Sequence, residues 1–333
     1  MSLPAPVLPA PVLPPAGAGA DGLDLVTMGR ISVDLYPEQT GPLAQVRSFA
    51  KSLGGSPTNV AAGAARLGRV SAVWTGVGAD GFGDYLLRQL DVWGVRTEFV
   101  RRDPVLRTPV VFCELDPPED PPLLFYREPS APDLQLDSGD VPEAVLTDVP
   151  LLWFTGTGLC AEPSRTTTLD ALRIRARRHA TVFDLDWRPG FWTAEGSSKV
   201  ARARELYRQA LALSTVAVGN RDEVAVATGT RDPRAAAEML LESGVDVAVV
   251  KQGADGVLVA TARGSAVVPP RPVQVVCGLG AGDAFGGALC HGLLAGWDLV
   301  AVAQLANAAG AHVAARLACA DAMPTLDELG VLA

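Results

Sequence analysis

Apolar residues along this chain gather into short unbroken runs, separated by longer stretches in which they recur every three or four positions. The runs at 25–28, 72–75, 151–154, 181–185, 215–218 and 245–250 have the length of strands buried on both faces. The stretches at 59–67, 85–92, 166–179, 199–213 and 234–243 have the spacing of amphipathic helices. Such alternation predicts an α/β fold, a doubly wound and mostly parallel sheet with helices on both faces. Two segments, about 31–49 and 107–128, break the rhythm. They read as β structure without helices, the second interrupted by the turn-rich Asp-Pro-Pro-Glu-Asp-Pro-Pro, and predict a small β-sheet lid. Residues 284–318 read as two apolar helices, and Gln304, Asn307 and His312 favour buried helices over membrane spans. Residues 1–22 carry a tandem Ala-Pro-Val-Leu-Pro at 5–9 and 10–14, which predicts a disordered tail ahead of one domain over 23–333.

Composition narrows the chemistry. Of 333 residues, 28 are Lys or Arg and 37 are Asp or Glu, giving a net charge of -9. So acidic a chain lacks the diffuse positive field of a nucleic-acid or anionic-membrane binder, and small-molecule partners are expected. Lys51, Lys199 and Lys251 are the lysines, and none follows a glycine, so no G-x-x-x-x-G-K-[ST] phosphate loop exists. The five cysteines form no C-x-x-C pair, and three histidines beside them give no zinc-ligand spacing. An odd thiol count and an N-terminus without a basic region predict a protein of the reducing cytoplasm.

The most informative stretch is 273–287, V-Q-V-V-C-G-L-G-A-G-D-A-F-G-G. A β-branched run enters a glycine turn, and Asp283 stands at the start of an apolar helix. Backbone N–H groups of Gly280, Ala281 and Gly282 would form an anion hole at the helix N-terminus, and Asp283 could take a proton from an attacking hydroxyl. The plainer reading is a turn with a capping Asp. Gly54-Gly55 followed by Asn59 at a helix start suits close approach of a polyhydroxy ligand, or an ordinary cap. Asn220-Arg221-Asp222-Glu223 follows a strand, where doubly wound sheets bind ligands, yet also fits a capped turn. Lys251-Gln252-Gly253-Ala254-Asp255-Gly256 follows another strand and also fits a hairpin.

In this order the four motifs resemble the ribokinase-like (PfkB) carbohydrate kinases from residue 23 to about 323. The resemblance implies a large α/β domain with a β lid, ATP and Mg²⁺ as cofactors, and a small sugar substrate. It implies Asp283 as catalytic base, with Gly280, Ala281 and Gly282 as the anion hole. Asp34, Gly54, Gly55 and Asn59 would hold substrate hydroxyls. Asn220, Lys251, Gly253, Gly256 and Asn307 would serve the nucleotide, and Glu223 would organise Mg²⁺ through water. The stretches 29–36, 125–128 and 184–192 resemble the sugar-acid branch, the 5-dehydro-2-deoxygluconokinases of myo-inositol catabolism; the last two also resemble the 2-keto-3-deoxygluconokinases. A carboxylate on the substrate would give Arg127 a ligand and Arg188 a carboxylate or phosphate to hold, unless each merely pairs with a neighbouring acid. Family members often carry an Asp six residues before the base that helps bind a monovalent cation. Cys277 stands there, which puts cation activation in doubt. The family also implies a possible homodimer through the lid.

Two other classes fit parts of the chain. Gly76-Val77-Gly78-Ala79-Asp80-Gly81 and Gly156-Thr157-Gly158-Leu159-Cys160-Ala161 imitate the fingerprint of an NAD-dependent oxidoreductase, with Glu98 as ribose ligand for the first. A non-catalytic sugar or nucleotide sensor on the same fold is the second.

Overall fold

In the computed structural model, residues 8–10, 18–118, 121–193, 197–317 and 319–330 are described. The main sheet contains β1 (Leu25–Met28), β4 (Ser71–Gly78), β5 (Val100–Asp103), β8 (Leu151–Thr155) and β9 (Ala180–Asp184). It continues with β10 (Val216–Asn220), β11 (Val247–Lys251), β12 (Val257–Thr261) and β13 (Gly264–Val268). Its order is β13-β12-β11-β10-β9-β8-β1-β4-β5, parallel from β11 to β5 and antiparallel through β12 and β13.

Successive side chains of a strand point to opposite sheet faces, so strands apolar throughout need cover on both. In β1 and β8, Val26, Met28, Leu152 and Phe154 face one core, while Leu25, Leu151 and Trp153 face the other. The first core is closed by α3 (Glu143–Asp148), α4 (Ser164–Arg175), α5 (Ser197–Ala212), α6 (Arg221–Thr228) and α7 (Pro233–Glu242). The second is closed by α1 (Ser56–Arg66), α8 (Ala281–Leu294), α9 (Leu299–Ala314) and α10 (Leu326–Leu329). A third cluster packs α2 (Gly81–Val92) beside β4 and α1. The lid is a separate sheet of β2 (Ser32–Pro37), β3 (Phe49–Gly54), β6 (Val110–Cys113) and β7 (Leu123–Tyr126), in the order β3-β2-β6-β7.

Several expected boundaries move. Strands β10 and β11 run on into polar residues, because Asn220 and Lys251 are partners in the ladder. The expected helix 166–179 ends at Arg175, where Ala176 and Arg177 take left-handed backbone. The lid's second strand begins at Phe49, where the first lid segment was expected to end, and carries the sheet into Gly54. The tail also differs from expectation where it is described. Leu8 is buried in the second core, and its carbonyl accepts from the Leu299 N–H at 2.7 Å. Residues 1–7 and 11–17 of that expected tail lie outside the described residues.

Candidate active site

The parallel strands end together, and their last residues are polar. Asp184 closes β9, Asn220 closes β10 and Lys251 closes β11. Glycine at the head of α8 brings the G-A-G-D motif over this edge. Gly280 caps the helix at φ 79°, and a Cβ there would lie 2.8 Å from Cys319 Sγ, so both backbone and space demand glycine. Gly282 packs beside the Lys251 ammonium, 3.5 Å from where its Cβ would stand. The first turn of α8 therefore presents N–H groups and a lysine to one spot, a ready anion site.

A cavity of about 230 Å³ opens there, lined by Asp34, Gly55, Asn59, Arg188, Asn220, Glu223, Lys251, Gly280, Gly282 and Asp283. Gly54 acts from just behind it: a Cβ on Gly54 would fall 2.0 Å from the Asp34 carboxylate. An adjoining pocket of about 620 Å³ is lined by Gly253, Gly256, Ala281 and Asn307, and shares Lys251, Gly278 and Gly282 with the cavity. Asn307 donates to the Pro269 carbonyl at 2.8 Å. All these sequence-picked residues thus converge on two joined spaces.

Arg127 does not join them. It pairs with buried Asp133 at 2.5 Å, stacks over the Phe191 ring at 4.7 Å, and lines a third pocket of about 900 Å³ beside the lid. The plainer reading of this arginine, an ion pair with a nearby acid, is what the geometry supports. Asn220 and Glu223 serve as caps as well as lining. The Asn220 side chain accepts from the Asp222 and Glu223 N–H groups, and Glu223 accepts from the Asn220 N–H at 2.6 Å. Lys251 and its glycines sit on the expected hairpin, which joins β11 to β12.

Sequence reasoning missed three charged residues of the cavity: Arg30, Asp184 and Asp186. Asp184 Oδ1 and Asn59 Oδ1 are buried without a partner, the kind of exception that function explains better than stability does. Burial pushes the Asp184 carboxyl up to about 8, despite Lys251 nearby. Burial also raises Asp34 to about 6 and Asp283 above its usual range, while the Asn59 hydrogen bond restrains Asp283. Asp186 goes the other way: burial would raise it, but Arg30 and Arg188 hold it low. For Lys251, burial would lower the ammonium, yet Glu223 and Asp184 hold it up.

The dinucleotide-like turns are spent on structure. Asp80 caps α2, and the Gly78 and Ala79 N–H groups already donate to Thr108 and Asp103. Gly156 opens a short turn packed so tightly that a Cβ would fall 2.3 Å from the Tyr207 hydroxyl.

Comparison with known proteins decides the class. The model of the pfkB family of carbohydrate kinases matches residues 23–326. The chain belongs to this family. It is therefore a carbohydrate kinase on the ribokinase-like fold. The 5-dehydro-2-deoxygluconokinase of Clostridium tetani is 31% identical over 317 residues, covering 92% of this chain and 91% of its own. That of Geobacillus thermodenitrificans is 32% identical, covering 92% of each chain. Among solved structures, a putative ribokinase II from E. coli in complex with ATP and Mg²⁺ has a TM-score of 0.83 at 26% identity, covering 92% of this chain and 98% of that one. The Vibrio cholerae fructokinase with fructose, ADP and calcium ion has a TM-score of 0.81 at 28% identity, covering 92% and 98%. No helix of the PfkB chain, among the described residues, is long and apolar enough to cross a membrane.

Proposed function

We propose that this PfkB kinase transfers the γ-phosphoryl group of ATP to the terminal hydroxyl of 5-dehydro-2-deoxy-D-gluconate, giving the 6-phosphate, a step of myo-inositol catabolism. The observation that carries this reading is a half-buried carboxylate, Asp283, beside a helix N-terminus and two cavity arginines, next to a nucleotide-sized pocket. Its relatives' name supplies the substrate.

In this reading the sugar acid lies between Asp34 and Asn59, with its terminal hydroxyl at Asp283. As the hydroxyl oxygen bonds to the γ-phosphorus, Asp283 takes its proton and the bond to the β,γ-bridging oxygen breaks, releasing ADP. The α8 N-terminus and Lys251 stabilise charge spreading over the transferred group. Glu223 and Asp184 are the carboxylates available to Mg²⁺. With two carboxylates at hand, an Mg²⁺ ion would be carried mainly by the ATP phosphates and water. Bound there, Mg²⁺ would neutralise phosphate charge. Cys277 is buried with Tyr36, Cys113 and Cys319, so its position offers no side-chain carboxylate to a monovalent cation. The outer lid face is read as the surface through which two copies pair.

An ADP-release assay with 5-dehydro-2-deoxygluconate, 2-keto-3-deoxygluconate, fructose and ribose tests the reading. The first should give the highest kcat/KM. A higher value for 2-keto-3-deoxygluconate reassigns the substrate, a higher value for a neutral sugar removes the acid, and no ADP release with any leaves a sensor.

A further inference from the structure

The Asp186 carboxylate is shared by two guanidiniums. Arg188 Nε donates to Oδ1 at 3.0 Å, Arg30 Nε lies 3.4 Å from Oδ2, and the Thr157 hydroxyl adds a bond at 3.2 Å. Asp186 holds this place at φ 30°, a backbone region costly for a side-chain-bearing residue and characteristic of functional positions. Two cations on one anion leave one positive charge over, in a cavity that also carries Lys251 and the carboxyls of Asp34, Asp184, Glu223 and Asp283. Both arginines use their Nε edge on Asp186. Among the described residues, neither donates to a protein acceptor through its Nη atoms. A guanidinium so held has its two-pronged end free, the shape that receives a carboxylate through parallel hydrogen bonds.

The two arginines enter the cavity from different elements. Arg188 follows β9, whose ladder neighbour β10 ends in Asn220, at the nucleotide side. Arg30, in the turn between β1 and β2, packs its carbonyl against Gly55, where a Cβ would fall 2.4 Å away, and leads into Asp34, at the sugar side. Arg127, the lid arginine that the sugar-acid resemblance singles out, is occupied by Asp133.

We propose that Arg30 is a specificity-determining residue that binds the substrate carboxylate, held for that task by Asp186, while Arg188 faces the phosphates. This rests on the sugar-acid reading above.

The test is Arg30→Gln, with Arg30→Lys beside it. Glutamine can still donate to Asp186, and Arg188 keeps that carboxylate paired, so the fold is spared an unpaired buried charge. Losing a charge-assisted pair should raise KM for 5-dehydro-2-deoxygluconate about ten- to a hundredfold. KM for ATP should stay near that of the parent, and Arg30→Lys should lie between the two proteins. A sugar-acid KM that does not move, or a KM for ATP rising in parallel, overturns the assignment. Should Arg30→Gln fail to fold, the same comparison is made with Arg30→Lys, and an unchanged sugar-acid KM overturns it equally. The parent enzyme separates the two levels: no turnover of any sugar acid sinks the functional reading as well, whereas good turnover with an indifferent Arg30 sinks only this inference.

Discussion

The Asn59 amide donates to Asp283 Oδ2 at 2.8 Å, joining the first turn of α1 to the first turn of α8. This bond favours the ionised carboxylate that burial opposes, so a residue expected to hold sugar also tunes the proposed base. Asp283→Asn should lower turnover by about 10²–10⁴-fold, the usual contribution of a positioned base, while ATP binding survives. Near-normal ADP release would remove Asp283 from that role. Asn59→Ala is the subtler experiment. Without the donated bond the Asp283 pKa rises further, and the base must be ionised to work, so the acid limb of the kcat–pH profile should shift to higher pH. An acid limb that stays in place would reduce Asn59 to a helix-start residue.

Gly54 works by its missing side chain. A Cβ would fall 2.0 Å from Asp34 Oδ1, far inside contact distance, so Gly54→Ala must drive that carboxylate off its 2.7 Å bond from the Ser32 hydroxyl. KM for the sugar acid should rise about tenfold or more, the effect of about 1.4 kcal/mol, with KM for ATP little changed. Parallel changes in both would mean general damage to the lid sheet.

Some of this site was legible before any coordinates. G-A-G-D could be read because a glycine turn and a helix N-terminus are local geometry, and N-x-x-E because a capping box spans only a few residues. The doubly wound sheet followed from alternation of elements, the lid from the two segments that break it, and the convergence of four distant motifs from the family resemblance. What escaped was set by long-range neighbours. Arg30 gains its meaning from Asp186, 156 residues away, and Arg127 loses its expected role to Asp133, whose carboxylate also accepts from the Ile31 N–H. Asp184 had a signal, an acid at the end of an apolar run, but chain spacing does not tell a cavity wall from a strand terminus. Polar Lys51 inside β3 masked a lid strand that the ladder with β2 makes plain.

Asp34 gives the site a pH dependence. Burial raises its carboxyl to about 6, within the working range of an enzyme. In the proposed role its ionised form accepts bonds from substrate hydroxyls, so KM for the sugar acid should climb as pH falls through about 6, and Asp34→Asn should flatten that rise. The sign for stability is opposite. A carboxyl raised on folding contributes stability below its unfolded value of 3.8, and that contribution is lost as pH rises through about 6. Asp34→Asn should therefore gain melting temperature over the parent at pH 7 and not at pH 4, measured without ligands. An equal difference at both pH values would mean that Asp34 titrates normally.

The outer face of the lid carries the last prediction. Phe112 meets Phe49 and Tyr126 edge to face, each at 5.3 Å, forming an aromatic row across three strands. Tyr126 is 59% exposed and Leu124 49%, beside the pocket of about 900 Å³. A monomer leaves this apolar row in water, and it leaves the edges of a four-stranded sheet unpaired. A second copy laid against the same face would cover the row, and self-complementary pairing of like patches is the commonest symmetric solution. Sedimentation should find the parent as a dimer, and Tyr126→Asp, which puts a charge in the buried centre, should give monomers. Because the inner lid face holds Asp34 over the cavity, the monomer should also show a higher KM for the sugar acid than the parent. A parent chain that sediments as a monomer, or a Tyr126→Asp dimer, would leave the aromatic row without that partner.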